Sequence, residues 1–121
     1  MDADKKRVFE ERMQGLVNKY CQQLPGKYQE IEDSWKNYQS DSTSPDLIEL
    51  FYRLIHTLKG TASTFGFTKQ SDICYQIQRV LLDIKEKHEI LSPSKVSSIQ
   101  KYLDELKNNI NAPPEDIIKN N

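Results

Sequence analysis

The chain has 121 residues, 29% of them charged, and a formal net charge of −1. That length fits one domain with a core of its own, and the balanced charge gives no general reason to expect a nucleic acid or a membrane surface as partner. No apolar run approaches the roughly 18 residues of a membrane span, and the charged N-terminus lacks a signal-peptide core, so a cytoplasmic protein is expected.

The first predicted helix runs from about Asp4 to Gln22, with Val8, Met13, Leu16, Val17 and Tyr20 as its apolar side. Leu24-Pro25-Gly26 is expected to break it. A second helix starting near Pro25 carries Tyr28, Ile31, Trp35 and Tyr38 at helical spacing. Gln39-Ser40-Asp41-Ser42-Thr43 reads as a polar loop, and Ser44-Pro45 as a helix start: an N-cap, then proline at the first helical position. The third helix runs to Phe65 and stops at Gly66. Thr68 is the expected cap of a fourth helix bearing Ile73, Ile77, Val80, Leu81 and Ile84. Leu91-Ser92-Pro93 repeats the cap-plus-proline signal before a fifth helix with Val96, Ile99, Tyr102, Leu103, Leu106 and Ile110.

Strand-like alternation is absent. Helices with one apolar stripe each, joined by short loops, predict an all-α, up-down antiparallel four-helix bundle with an additional N-terminal helix. The bundle is expected over residues 1–110, with 111–121 as a C-terminal tail or linker containing Pro113-Pro114. Trp35 and the tyrosines read as core. Cys21 and Cys74 read as reduced core thiols. No two of Cys21, Cys74, His56 and His88 have metal-ligand spacing, so no metal site is expected.

The third helix carries the chemistry. Each helical residue turns about 100°, which puts Glu49, Tyr52, Arg53, Lys59, Gly60 and Ser63 within about 60° of His56. Leu47, Leu50, Phe51, Leu54, Leu58, Thr61, Ala62 and Phe65 fall on the opposite half. The histidine thus sits near the middle of the wet face of an amphipathic helix. A lysine follows at i+3 and a glycine at i+4. Glycine inside a helix costs about 1 kcal/mol relative to alanine, and access to the ring by a bulky group would justify it.

His56-Thr57-Leu58-Lys59-Gly60-Thr61-Ala62, closed by Gly66, resembles the signature of the histidine-containing phosphotransfer (HPt) domain family, H-x-L-K-G-[S/T]-A-x-x-x-G. The resemblance extends to Ile73-Cys74-Tyr75-Gln76-Ile77-Gln78 and covers roughly residues 5 to 110. It implies a phosphoryl carrier in a two-component phosphorelay, phosphorylated on His56, with response-regulator receiver domains and a hybrid sensor histidine kinase as partners. It implies that Lys59 offsets charge on the phosphate, that Gly60 leaves room for it, and that Gln78 orients the ring. Ile48, Tyr52, Arg53 and Ser63 would border the docking surface. No cofactor is implied for this chain; Mg2+ would sit in the partner receiver domain. Family precedent favours a monomer. His88, in the charge-rich Glu86-Lys87-His88-Glu89, is expected only to favour the end of its helix.

No G-x-x-x-x-G-K-[ST] phosphate loop occurs, so the chain is expected to carry no ATP site or kinase activity of its own. A general-base enzyme would need a cleft with further polar groups, which a convex helix face does not supply. Two other possibilities stay open: a non-catalytic helical adaptor that binds a partner through the His56 face, and an N-terminal HPt segment of a larger multidomain regulator.

Overall fold

The computed structural model describes residues 2–110, and the proposed tail of residues 111–121 lies outside them. Four helices follow one another: α1 (Asp2–Ser40), α2 (Pro45–Thr64), α3 (Thr68–Lys87) and α4 (Pro93–Asn108). The all-α bundle is as expected, but its first helix is not divided. Pro25 lies inside α1, and no break occurs at Leu24-Pro25-Gly26. An internal proline costs about 3 kcal/mol because it removes one backbone hydrogen bond and crowds the preceding turn. Here that turn is on the outside: Cys21, Gln22, Pro25 and Gly26 are all exposed. On the inner side Tyr20, Leu24, Tyr28, Ile31, Trp35 and Tyr38 form one unbroken buried stripe. Burial of each large apolar side chain contributes about 1.5–3 kcal/mol, so the stripe outweighs the proline. Among the described residues before Val17 none is buried; Phe9 and Leu16 are exposed there.

Short connections reverse the chain between helices. Ser44 and Ser92 cap α2 and α4 as their sequences predict, each side-chain hydroxyl accepting from the backbone N–H three residues on, with Pro45 and Pro93 behind them. At the end of α2, Gly66 adopts φ 82°, the left-handed conformation that suits glycine. The Phe67 N–H donates to the Ala62 carbonyl at 2.8 Å and the Gly66 N–H to Ser63 at 3.3 Å, the Schellman closure of a helix end. Thr68 is the first residue of α3 rather than its cap; Phe67 occupies the cap position without a side-chain bond. His88 ends α3 with φ 51°.

The core joins all four helices. Phe51, Ile55, Leu58 and Ala62 of α2 face Ile73, Cys74, Ile77 and Leu81 of α3 and the buried stripe of α1. Trp35 Nε1 donates to Gln100 Oε1 at 2.9 Å, and the Tyr28 hydroxyl to the Leu103 carbonyl at 3.2 Å, tying α1 to α4. Buried Gln70 accepts from the Tyr20 hydroxyl at 2.8 Å and donates to the Asn109 carbonyl at 3.0 Å. Of the two cysteines only Cys74 is a core thiol, and burial pushes it up to about 12; Cys21 is exposed because it lies on the outer side of α1 beside Pro25. Among the described residues no helix is long and apolar enough to cross a membrane.

Candidate functional site

Burial of Ile55 and Leu58 fixes the rotation of α2 and turns His56, between them in sequence, outward. The ring is exposed and has a partner on α3. Its Nδ1 lies 3.3 Å from Oε1 of Gln78 on α3, a residue only 9% exposed. An amide oxygen accepts hydrogen bonds and cannot donate. Nδ1 therefore carries the proton in the neutral ring, and the lone pair sits on Nε2. No hydrogen bond from the described residues reaches Nε2.

One turn earlier, Tyr52 lies almost parallel to the imidazole, with ring centroids 5.9 Å apart and planes inclined by 9°. The ammonium of Lys85, from α3, stands 4.1 Å from the centre of the Tyr52 ring. Lys85 is in turn held by Glu49, whose carboxylate also lies 4.0 Å from Arg53. The hydrogen bond from Lys85 keeps the Glu49 carboxyl below the usual carboxylate range.

On the other side of His56, half-buried Lys59 places its ammonium 5.4 Å from the centre of the exposed Tyr75 ring, and the Arg79 guanidinium lies 5.9 Å from the same ring. Ser71 Oγ donates to the Lys59 carbonyl at 3.2 Å and fastens α3 to α2 at this level.

Gly60 is exposed, and a Cβ built on it would meet nothing within 4 Å. Close helix packing therefore does not explain it. Gly60→Ala should raise stability by about 0.5–1 kcal/mol, measured by urea unfolding, while slowing any reaction that brings a partner to the ring. A variant that is both more stable and undiminished in partner reactions would leave the glycine without an access role.

Of the residues expected at the docking border, Tyr52 is half-buried, while Arg53 and Ser63 are exposed. Ile48 is not at that border: it is buried and belongs to the core together with Phe51 and Ile84, with Leu91 packed against it. Leu50, placed on the greasy half by counting, is 45% exposed. Sequence reasoning gave no role to Lys85, Tyr75 or Arg79. A signal for Lys85 existed: it is seven residues, about two turns, from Gln78 and so shares its face of α3.

A family model described as the Hpt domain matches residues 9–109. The chemotaxis protein CheA of Listeria monocytogenes serovar 1/2a and that of Listeria innocua serovar 6a are each 23% identical to this chain over 70 residues, 58% of the chain and 11% of the relative. The chain thus spans about a tenth of the length of these curated relatives. The CheA phosphotransferase domain from Thermotoga maritima has the same fold, with a TM-score of 0.70, 18% identity, and coverage of 86% of this chain and 95% of that one.

Proposed function

This chain belongs to the Hpt domain family, and on that premise we propose that His56 accepts a phosphoryl group from a receiver-domain aspartyl phosphate and passes it to another receiver aspartate. Histidine phosphotransfer in two-component signalling is the work of the family. The observation that carries the assignment to His56 is the ring's geometry: Nδ1 is engaged by Gln78 and Nε2 is left with its lone pair toward solvent.

The Nε2 lone pair attacks phosphorus as the P–O bond to the aspartate breaks, and the aspartate leaves as a carboxylate. The ring then carries phosphorus on Nε2 and a proton on Nδ1, with one positive charge shared between the nitrogens. Gln78 accepts the same Nδ1–H hydrogen bond before and after transfer, so the step needs no proton movement in this chain. The next receiver's carboxylate attacks the phosphorus from the far side and the ring leaves neutral. Positioning and charge neutralisation are the main demands of such a transfer. Lys59 supplies a cation by leaving Tyr75 for the phosphate oxygens, and Gly60 gives the incoming loop its space. Arg53 and Ser63 border the contact. Mg2+ belongs to the acidic pocket of the receiver, and the chain works in the cytoplasm as a monomer, with a hybrid sensor histidine kinase at the head of the relay.

The test is to offer the protein a panel of receiver domains from its own organism, charged with acetyl phosphate. Phosphate should move to this chain and fail to move to the His56→Gln variant. Transfer from none of the receivers, or equal transfer to the variant, contradicts the proposal.

A further inference from the structure

The geometry points to Tyr52 as a positioning residue: its ring, propped by Lys85, sets the plane of the His56 imidazole so that Nε2 aims outward. The inference rests on the assignment of His56 as phosphoryl acceptor and gives Tyr52 a different part from bordering the docking surface.

Gln78 alone fixes only part of the ring's orientation. A single hydrogen bond at 3.3 Å is a weak hold on the ring, because a swing about Cβ–Cγ carries Nδ1 away from Oε1. The attacking lone pair lies in the ring plane, so rocking swings it away from the line of attack. Tyr52 removes that freedom. Its ring is 9° from parallel with the imidazole at a centroid distance of 5.9 Å, the offset stacked arrangement that aromatic rings favour. Tyr52 is itself immobilised from α3, where the Lys85 ammonium meets its ring at 4.1 Å and is anchored by Glu49. Both restraints on His56 thus lead back to one helix, through Gln78 directly and through Lys85 and Tyr52 indirectly. Gln78 and Lys85 lie two turns apart on the same face of α3, Gln78 reaching His56 and Lys85 reaching Tyr52.

Single-turnover transfer from a phosphorylated receiver domain, measured across receiver concentrations, separates positioning from docking. Long-range 1H–15N NMR of the unphosphorylated proteins, at a pH where the ring is neutral, reports the His56 tautomer independently of any transfer. Tyr52→Leu should lower the limiting rate about tenfold, within the roughly hundredfold that a 1 Å misplacement costs, with the half-saturating concentration unchanged and a smaller share of the Nδ1–H tautomer. Tyr52→Phe, which keeps the ring, should restore both the limiting rate and the tautomer share. Lys85→Met should give a smaller loss in the limiting rate. A rise in half-saturation with an unchanged limiting rate in Tyr52→Leu would make Tyr52 a docking residue and overturn the inference, as would a tautomer share equal to wild type. If the wild-type protein accepts no phosphoryl group, the relay assignment falls. The spectra then decide positioning alone: a tautomer shift in Tyr52→Leu sustains it and no shift overturns it.

Discussion

Replacing His56 by glutamine should abolish phosphoryl acceptance and leave the melting temperature within about 4 °C of wild type. An amide nitrogen has no available lone pair for attack at phosphorus, so the loss in transfer is complete rather than partial. The fold has little at stake in this side chain. The ring is exposed, outside the buried set, and gives up one 3.3 Å hydrogen bond and one stack. Glutamine is the better helix former, and its amide N–H supplies a donor in place of Nδ1–H. Surface changes of this kind stay within about 0.5 kcal/mol, which is about 2–4 °C for a domain of this size. Circular dichroism during heating, run beside the transfer assay, separates the two effects. A simple adaptor would keep its binding function after the change. A large drop in melting temperature would mean that the imidazole serves the core.

Trp35→Ala should do the reverse. Trp35 is 1% exposed, stacks on Phe51 at 5.3 Å, lies 6.1 Å from Tyr38, and holds Gln100 through its indole N–H at 2.9 Å. It is the side chain in which α1, α2 and α4 meet. Removal of so large a ring leaves a cavity between rigid helices, which costs about 3–5 kcal/mol. That is a large part of the 5–15 kcal/mol by which domains are stable, and it should lower the melting temperature on the order of 15 °C. Below the new transition, phosphoryl acceptance should persist, because Trp35 touches neither His56 nor its supports. Thermal unfolding with transfer measured in the cold checks both halves. A loss under about 1 kcal/mol would mean that the helices close over the gap.

How much of this was legible in the sequence depends on whether the responsible residues are close along the chain. The caps at Ser44-Pro45 and Ser92-Pro93 and the stop at Gly66 act within one turn, and each is where its residue type predicts. The outward direction of His56 follows from 100° steps along one helix. Pro25 misled because a proline's local cost is visible in sequence, whereas the compensating burial comes from α2 and α4. The unbroken spacing Tyr20, Leu24, Tyr28, Ile31 was the available sign that the helix continues. Ile48 was misplaced for a related reason: its angle alone does not reveal that it joins Ile84 in the core, with Leu91 packed against it. The Lys85–Tyr52–His56 arrangement needs the register of α3 against α2, which neither helix encodes alone.

The regiochemistry of the phosphorylated protein tests the central claim most directly. Two-dimensional 1H–15N NMR of the 15N-histidine-labelled chain, charged by a receiver domain, distinguishes the two ring nitrogens. The Nδ1–Gln78 bond predicts a single phosphohistidine at residue 56 with phosphorus on Nε2 and the proton retained on Nδ1. Phosphorus on Nδ1, or on His88 in place of His56, would contradict it.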